Sequence, residues 1–481
     1  MPLVIYNSLT KRKEQFEPLF PNEIRMYTCG VTVYDDCHVG HARSLFIFDC
    51  FKRFMEYSGY QVKLVRNITD VDDKIINRAK QEGVPFEEIR DRYIANYYRD
   101  LKDLEIDQAD FEPRATENIH FMVGHIRQLI ENAHAYEVDG DVYFSVRSFP
   151  SYGQLSGQGL DEMLTAVRIE KDEKKKDPLD FALWKKSKEG EPAWESPWGK
   201  GRPGWHIECS TMSMRYLRSE TLDIHAGGRD LIFPHHENEI AQAEALTGQK
   251  FARYWMHHGL LTIDGHKMSK SLGNFITIQD ALKKYPANIL KLFFLGAHYG
   301  SSMDFSFSAL EKTKKGFEKI EEFLNKAEAL KAKTVLSVSQ EEPWKQDVHL
   351  KEEEFQAVLN DDFNTAQALA VLFELLNMGN KFLSDPSGLR AALHVKDVLV
   401  ELGAVLGLRL KSSSSIRDVD AQRIKILDPS RAGLDNSEVE RLITERKLAR
   451  ESKDFKKADE IRDYLKKNGI VLEDTEKNLP R

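Results

Sequence analysis

Residues 24–68 read IRMYTCGVTVYDDCHVGHARSLFIFDCFKRFMEYSGYQVKLVRNI, and this stretch decides the fold class. The β-branched and aromatic residues at 24–33 predict a strand, and residues 60–68 predict a second one. Between them, apolar residues recur with a helical period that ends at Gly59: Leu45, Phe48, Phe51, Phe54 and Met55. A strand, a helix and a strand form a crossover unit of a parallel sheet. Because such sheets bind ligands at the carboxyl ends of their strands, we expect the site beside Cys29 and the HVGH turn.

The α/β pattern continues beyond this unit with one interruption. Residues 75–200 mix helical stretches with lysine-rich segments such as EKDEKKKDPLDF, and strand-like alternation returns in LDIH at 222–225. A helix is predicted in HHENEIAQAEALTG, closed by Gly248. We therefore predict a Rossmann-type parallel-sheet catalytic domain, split into residues 1–115 and 203–307 by a connective insertion at 116–202.

The C-terminal part of the chain has a different pattern. Segments such as ALEKTKKGFEKIEEFLNKAEAL and NTAQALAVLFELLNMGNKFL have the periodicity of long amphipathic helices, which predicts an α-helical bundle at 308–411. The serine run at 412–415 predicts a linker. We predict that residues 412–481 form a small, charged and largely helical C-terminal domain.

Composition limits the class of protein. The 481 residues are 41% hydrophobic and 30% charged, as in globular proteins, and no apolar run approaches the ~18 residues of a membrane span. We therefore expect a cytoplasmic protein without membrane contact. Four cysteines in a chain of this length do not form a disulfide scaffold. The net charge of -8 excludes a surface coated with phosphate-binding residues but leaves room for a local basic face that contacts RNA.

The HVGH sequence, residues 38–41, lies between the first predicted strand and the helix that follows it. His38 and His41 are one turn apart and share a face, and Gly40 permits close approach of a flat ring or a phosphate. Helix N-termini attract anions, and two imidazoles can add donors to a phosphorus under attack. This arrangement suits nucleotidyl transfer. The alternative is that both histidines only cap the helix.

The KMSKS sequence, residues 267–271, places Lys267 and Lys270 on a short polar loop. Lysine ammonium groups can follow a triphosphate as it becomes pyrophosphate, so they stabilise the transition state. A solvated lysine loop is the alternative. The two motifs support one another, because HxGH after a first strand followed by KMSKS about 230 residues later rarely arises by chance.

A metal site is a further possibility in the same part of the chain. His235 and Glu239 are four residues apart on a predicted helix and share a face, while Cys29 and Cys209 lie near predicted strand ends. Zinc accepts such a mixture of sulfur, nitrogen and oxygen donors. Buried cysteines beside a solvent-exposed helix are the alternative, since free cysteine is commonly a core residue. His236 and His206 remain competing candidates.

Six sequence segments resemble those of cysteinyl-tRNA synthetases, and they occur in the family's order between residues 27 and 275. They are YTCGVTVYDDCHVGHAR, RNITDVDDKI, DPLDFALWK, GRPGWHIECS, FPHHENEIAQ and KMSKSLGNF. The resemblance implies a class I aminoacyl-tRNA synthetase, in which HVGH and KMSKS bind ATP. It also implies that one zinc ion per chain is held by Cys29, Cys209, His235 and Glu239.

The resemblance assigns further residues to the two substrates. Thr69, Trp205 and His225 are implied as walls of the amino-acid pocket. Gly40, Gly228, Asp230, His257, Gly259 and Lys270 are implied in ATP binding, with Gly228 and Asp230 at the ribose and the backbone of residues 257–259 at the adenine. His38, His41, Lys267 and Lys270 are the implied catalytic residues.

The implied reaction activates L-cysteine with ATP and transfers it to the 3′ end of tRNA(Cys). Zinc binds a thiolate far better than a hydroxyl, so coordination separates cysteine from serine and we expect no editing domain. Mg²⁺ is expected with ATP. The helical bundle and the last domain are expected to bind the tRNA, with residues 412–481 at its anticodon, and the protein is expected to be a monomer. The chain ends EDTEKNLPR, without the GTRW-like ending of many relatives, so a tryptophan contact to the anticodon is in doubt.

Two alternatives share parts of this pattern. A cysteine ligase of the mycothiol type would have the same zinc and HxGH sites but would lack a full tRNA-binding tail, and about 170 residues follow position 308 here. A non-catalytic RNA-binding paralogue is the other, and the intact HVGH and KMSKS sequences disfavour it.

Overall fold

The computed structural model describes residues 2–160, 162–163, 174–268, 273–331, 343–385 and 387–410, with 424–426, 457, 461, 464 and 470–472. The strands are β1 (Val4–Asn7), β2 (Arg12–Gln15), β3 (Glu23–Thr32), β4 (Gln61–Thr69), β5 (Ala135–Val138), β6 (Asp141–Phe144), β7 (Phe181–Lys186), β8 (Gly201–Pro203), β9 (Leu222–Gly228), β10 (Ala252–His258), β11 (Leu261–Ile263), β12 (His266–Lys267), β13 (Met303–Phe305), β14 (Ile424–Ile426) and β15 (Ile470–Leu472). The helices are α1 (Val39–Tyr57), α2 (Asp73–Glu82), α3 (Phe86–Asp103), α4 (Ile119–Glu131), α5 (Trp205–Leu217), α6 (Glu237–Thr247), α7 (Ile278–Leu282), α8 (Ala287–Leu295), α9 (Phe307–Lys331), α10 (Trp344–Asn360), α11 (Thr365–Leu383) and α12 (Leu389–Val405).

A parallel sheet in the order β10-β9-β3-β4 forms the centre of the first compact unit, Met1–Lys411. Most residues of its strands are buried, which explains continuous apolar runs such as residues 254–256. α1 connects β3 to β4 and buries one face that includes Leu45, Phe48 and Phe51. This arrangement confirms the predicted α/β fold class, and the helix predicted before Gly248 is α6.

The insertion contains a separate antiparallel sheet in the order β5-β6-β7-β8. Its apolar face packs against α4 and forms a second core, with Met122, Val142, Phe144 and Trp184 fully buried. β8 ends at Pro203, one residue beyond the predicted limit of the insertion. The bounds of the domains remain predictions.

Helices α9 to α12 form the helical part predicted beyond residue 308. Their apolar faces join the core of the parallel sheet through α1: the ring of Phe363 lies 5.2 Å from that of Phe51 and 5.9 Å from that of Phe54. Cys50 of α1 is buried and its thiol lies 3.7 Å from the Val405 carbonyl oxygen, so this cysteine packs rather than binds a metal.

Residues Ser412–Arg481 form a second compact unit. Its described strands β14 and β15 pair antiparallel, with Ile424 opposite Leu472. The linker predicted at 412–415 lies outside the described residues. Within the described part of the chain, every helix is too short or too polar to cross a membrane.

Candidate active site and metal centre

The HVGH sequence forms the N-terminus of α1, and its two histidines cap the helix. Nδ1 of His38 accepts hydrogen bonds from the backbone N–H groups of Gly40 (3.1 Å) and His41 (3.3 Å). Nδ1 of His41 accepts from the N–H of His38 (3.2 Å), which completes a capping box. The two rings stack with their centroids 3.8 Å apart. Both histidines therefore cap α1, and their proposed role at phosphate remains a prediction.

The cap also decides which ring nitrogens carry protons. Because both Nδ1 atoms accept hydrogen bonds, both neutral rings carry their proton on Nε2. Burial lowers the pKa of His38 to about 4 and holds the pKa of His41 well below its usual value. At neutral pH the N-terminus of α1 thus carries two uncharged Nε2–H donors, at the positive end of the helix dipole.

The segment after KMSKS pairs with HVGH. The N–H of Ile278 donates to the Cys37 carbonyl (2.8 Å), and the N–H of Val39 donates to the Ile276 carbonyl (3.1 Å). At Gly40 a Cβ atom would lie 3.5 Å from the Met268 methyl group, so the two motifs meet at this glycine. Lys270 and the side chain of Lys267 lie outside the described residues.

The residues predicted to bind ribose and adenine lie at the carboxyl ends of β9 and β10, on the same edge of the sheet as HVGH. Gly228 ends β9, and a Cβ atom there would come within 2.5 Å of a carboxylate oxygen of Asp230. Gly259 follows β10, and a Cβ atom there would lie 2.2 Å from the Ser301 carbonyl oxygen. His257 is buried with Nε2 2.8 Å from Nδ1 of His236, and burial lowers its pKa to about 3. The two glycines therefore sit where side chains do not fit.

The four predicted metal ligands converge from separate elements. Cys29 lies on β3, Cys209 on α5, and Glu239 on α6, while His235 lies in the π-helical turn Ile232–His236. Their donor atoms all lie within 4.8 Å of one another. The Sγ atoms of Cys29 and Cys209 are 3.9 Å apart, and Cys209 Sγ is 3.5 Å from His235 Nε2. Glu239 Oε1 is 3.4 Å from Cys29 Sγ and 3.0 Å from His235 Nε2.

These separations fit a metal ion. Ligands bound tetrahedrally to zinc at about 2.0–2.3 Å lie about 3.3–3.8 Å from one another. Although burial opposes ionisation, His225 and His235 hold the pKa of Glu239 well below its usual value. Burial also raises the pKa of Cys209, but the hydrogen bond from Cys29 and the nearby His235 lower it to about 6. Carboxylate and thiolate are the forms that bind metal. Burial raises the pKa of Cys29 well above its usual value, and although burial lowers the pKa of His235, Glu239 and Cys209 raise it to about 10. Cys29 and His235 would therefore each release a proton when an ion binds.

A second set of donors shares two of these residues. Cys29, His225, His236 and Glu239 also lie within 4.8 Å of one another, with His236 Nε2 3.3 Å from Cys29 Sγ. His206, the other competitor, has its Nδ1 2.8 Å from Nδ1 of His235. Contact with the far ring nitrogen is typical of a residue that orients a metal-binding histidine.

The three residues predicted to line the amino-acid pocket differ in how exposed they are beside this cluster. The Trp205 ring stacks on His235 at 4.0 Å and remains 38% exposed, so it offers a free face beside the cluster. His225 is fully buried with Nε2 2.7 Å from Glu239 Oε2. The Thr69 hydroxyl donates to Glu208 Oε2 (2.8 Å), so its proton is already used in a hydrogen bond within the protein.

Two buried charged residues of this region were missed by the sequence analysis. Arg43, two residues after HVGH, donates to the carbonyl oxygens of Gly259 (2.8 Å), Leu260 (3.1 Å), Tyr299 (3.2 Å) and Ser301 (2.6 Å). Glu208 is buried beside Cys209, and burial raises its pKa well above its usual value. The signal for Arg43 was available, since a charged residue occupies the apolar phase of α1 between Ala42 and Leu45.

Comparison with known families covers most of the chain. The family described as tRNA synthetases class I (C) catalytic domain matches residues 15–315. The DALR domain matches 354–411, and the cysteinyl-tRNA ligase anticodon binding domain matches 436–479. Solved structures share the fold: Mycobacterium tuberculosis methionyl-tRNA synthetase in complex with methionyl-adenylate gives a TM-score of 0.63 at 17% identity, covering 81% of this chain and 91% of that one. A putative arginyl-tRNA synthetase from Campylobacter jejuni gives 0.57 at 14% identity, covering 82% and 95%.

Relatives of known name match along their whole length. The cysteine–tRNA ligases of Aquifex aeolicus and Persephonella marina are each 49% identical to this chain, and that of Geobacter metallireducens is 50% identical. Each alignment covers 99% of this chain and 98% of the relative. With the parallel sheet, the capped HVGH helix and these matches, the chain belongs to the cysteine–tRNA ligases, which are class I aminoacyl-tRNA synthetases.

Proposed function

We propose that the enzyme selects cysteine by coordination of its thiolate to a zinc ion held by Cys29, Cys209, His235 and Glu239. The observation that carries this proposal is the convergence of these donors at tetrahedral spacing, next to the exposed face of Trp205. The set with two sulfur donors is preferred to the set with His225 and His236, because thiolates bind zinc strongly. His225 then holds Glu239 through Oε2 as a positioning residue.

When bound, zinc supplies a site that accepts a thiolate and discriminates against a hydroxyl. This matters because serine has nearly the shape of cysteine, and a pocket without such chemistry rejects a near-isostere by only about 100-fold. The enzyme then needs no separate site to hydrolyse mischarged tRNA. Trp205 covers the small side chain and limits the access of water.

The first chemical step takes place at the N-terminus of α1. A carboxylate oxygen of cysteine attacks the α-phosphorus of ATP, the bond to the β-phosphate oxygen breaks, and pyrophosphate leaves. The Nε2–H groups of His38 and His41 donate to the phosphate oxygens as negative charge develops on them. Lys267 and Lys270 are proposed to neutralise the departing pyrophosphate, and Mg²⁺ accompanies the nucleotide.

ATP is proposed to lie along the carboxyl ends of β9 and β10. The backbone at Gly228 and Gly259 is proposed to contact the ribose and the adenine, and Asp230 is proposed to accept hydrogen bonds from ribose hydroxyls. His257 lines the adenine side. A ribose hydroxyl of the tRNA 3′ end then attacks the cysteinyl carbonyl, and AMP leaves. We propose that the enzyme works as a monomer on tRNA(Cys).

The coordination step is tested by spectroscopy as well as by activity. Protein loaded with Co²⁺ in place of zinc has visible absorption that reports each thiolate bound to the metal. Cysteine should strengthen the sulfur-to-cobalt band, while serine and alanine should leave it unchanged. The proposal is wrong if cysteine binds without altering this band. Mutation Cys209→Ser should abolish both metal retention and the response.

The reaction is tested by cysteine-dependent exchange of labelled pyrophosphate into ATP, followed by transfer of labelled cysteine. Label should move to total tRNA and not to an amino-sugar acceptor. Transfer to the amino-sugar alone would contradict tRNA charging, and absence of exchange by the zinc-loaded protein would contradict the activation step.

A further inference from the structure

A second cavity lies at the opposite edge of the parallel sheet from HVGH. It has a volume of about 510 Å³ and is lined by the start of β3 and β4 and the end of α5: Arg25, Lys63, Phe111, Arg215, Tyr216, Leu217 and Arg218. We call it the basic cavity. Its volume is within the range of about 300–1,000 Å³ found for small-molecule sites. None of these residues belongs to the ATP or cysteine site.

The cations of the basic cavity outnumber the acids around them. Arg25 and Lys63 face one another across β3 and β4, a like-charge pairing that disfavours the sheet. Glu23 accepts from both, and Asp223 is buried behind Arg25 and accepts from its backbone N–H. The residues that line the cavity thus include four cations and no carboxylate, and Glu23 and Asp223 offset part of this charge.

Arg218 lines the basic cavity and has a strained backbone conformation. It ends α5 in the left-handed conformation, with φ of 51°, where glycine is the favoured residue. Within the described residues its guanidinium has neither a carboxylate nor a hydrogen-bond partner, and its backbone carbonyl accepts from Arg25 (3.2 Å). A strained, unpaired arginine beside a cavity is a donor available for an anion.

The wall of the basic cavity is aromatic. Phe111 is 42% exposed, yet its backbone is held to β4 by hydrogen bonds with Leu64 and Arg66. Its ring lies 5.8 Å from that of Tyr216. On the far side, the Arg215 guanidinium stacks 3.4 Å from the Phe121 ring centroid and donates to the Asn118 side chain (2.6 Å). An exposed ring on a fixed backbone is a platform for a flat ligand.

We propose that the basic cavity binds a nucleotide, either free or as part of an RNA strand. The phosphate lies on Arg218 and Lys63, and the base stacks on Phe111. Guanidinium groups match phosphate oxygens in pairs, and aromatic rings accept any base, so the site selects phosphate next to a flat ring rather than one base sequence. Its position across the sheet makes this binding separate from catalysis.

The test uses the full-length, zinc-loaded enzyme with its catalytic site filled by a non-hydrolysable cysteinyl-adenylate analogue. Isothermal titration then measures the affinity of CMP, inorganic phosphate, citrate and a short oligocytidylate. We expect CMP to bind more tightly than phosphate, and citrate to bind most weakly. A free nucleotide is the source if CMP suffices, and an RNA strand is the source if only the oligonucleotide binds.

Two variants separate the phosphate and base contacts. Arg218→Gly should weaken CMP or oligonucleotide binding about tenfold by removing a charged donor. It should also fold at least as well as the parent, because glycine suits the left-handed backbone. Phe111→Leu should weaken nucleotide binding about tenfold and leave phosphate binding unchanged. The matched control is Arg12→Gln, which removes an exposed arginine on β2 that is paired with Glu14.

Several results would overturn the proposal. They are an absence of heat with both CMP and the oligonucleotide, citrate binding as tight as nucleotide binding, and an affinity unaffected by Arg218→Gly in a variant with an unchanged unfolding temperature. Equal loss in Arg12→Gln would also overturn it, because binding would then depend on overall charge. Pyrophosphate exchange should be the same in all three variants.

Discussion

His38 accepts two backbone hydrogen bonds through Nδ1 and carries its proton on Nε2. The His38 side chain thus caps the N-terminus of α1 and also presents an N–H donor to the site. The two roles are linked, because the hydrogen bonds accepted by Nδ1 place the ring proton on Nε2. The same reasoning applies to His41, whose Nδ1 accepts from the His38 backbone. The structural and the chemical role of such a histidine can be separated by the choice of substitution.

Substitutions at His38 should separate capping from catalysis. His38→Ala removes both roles, so we expect a loss of about 1 kcal/mol in unfolding free energy and of about 10²–10³-fold in pyrophosphate exchange. His38→Asn restores a good N-cap acceptor and should recover the stability but not the rate. Urea unfolding and the exchange assay measure the two effects. Full activity of His38→Asn would show that capping is the only role.

His125 of α4 should make the protein less stable in acid. Burial lowers its pKa to about 4 from 6.5, so between these values the unfolded state binds a proton that the folded state does not. Its contribution to stability is therefore complete above pH 6.5 and is lost as the pH falls to about 4, by up to about 3 kcal/mol.

The measurement compares urea unfolding across this pH range in the parent and in His125→Gln. The variant does not titrate, so its stability should fall less in acid. His349→Gln, at an exposed position of α10, is the control and should behave like the parent. Identical pH dependence in the parent and His125→Gln would contradict the assignment.

At the scale of elements, α1 joins the HVGH end of the site to two loops. Among the described residues, the hydrogen-bond partners of Arg43 are all backbone carbonyls, in residues 259–260 after β10 and residues 299–301 before β13. A buried cation without a carboxylate partner depends on these dipoles, and the planar guanidinium reaches several of them at once. The position of Gly259, where we place the adenine, follows from this contact.

Arg43→Lys should loosen the adenine side of the site. An ammonium group has three donors at the end of a more flexible chain, so at least one buried carbonyl loses its partner, at a cost of about 1–3 kcal/mol in unfolding free energy. We expect the KM for ATP to rise about tenfold, with a smaller change in the KM for cysteine. Steady-state exchange kinetics provide both values.

The control for this substitution is Arg90→Lys on α3, where the arginine pairs with Asp91 near the surface. It should leave both constants unchanged. Equal increases in the two KM values of Arg43→Lys would indicate general disruption and not a displaced adenine site.

At the scale of the whole molecule, Asp362 joins three parts of the first unit. One carboxylate oxygen accepts from the Tyr6 backbone (2.8 Å) and from the Tyr299 hydroxyl (2.8 Å), in the turn between α10 and α11. Its backbone N–H donates to the Val4 carbonyl (3.0 Å). The helical bundle is thereby fixed to the N-terminal hairpin and to the segment that Arg43 holds.

Asp362→Ala should therefore destabilise the first unit strongly. The buried Tyr299 hydroxyl and the partly buried Tyr6 N–H lose their acceptor, which costs about 1–3 kcal/mol in unfolding free energy. Asp362→Asn keeps an acceptor oxygen and should lose less. Thermal unfolding of the full-length protein measures both. Equal stability of Asp362→Ala and the parent would show that the bundle is held by apolar packing alone.

Removal of residues 412–481 should separate activation from tRNA charging. The residues proposed for catalysis and metal binding all lie within Met1–Lys411, so cysteine-dependent exchange should persist. The deleted part includes the match to an anticodon binding domain, so kcat/KM for tRNA should fall by about tenfold or more. Unchanged charging would contradict a role of this unit in tRNA binding.

Local patterns predicted the elements well. The strands β3 and β4, the helix α1 between them and the long helices after residue 308 follow from periodicities that each segment carries in its own residues. The metal cluster was reached from helical spacing for His235 and Glu239, but the cysteines required the family resemblance. Cys29 and Cys209 are 180 residues apart, and no local spacing relates them.

By itself, the sequence determined the α/β class, the HVGH and KMSKS motifs, the family and the set of candidate ligands, because these depend on residues that are near one another or on recurring motifs. Only the tertiary structure decided which nitrogen of each histidine carries the proton and that His236 offers a second set of donors. It also revealed that Arg43 binds the backbone of two separate loops and that the basic cavity lies at the opposite edge of the sheet from HVGH. These features arise from contacts between distant segments, whose distances and orientations exist only once the chain has folded.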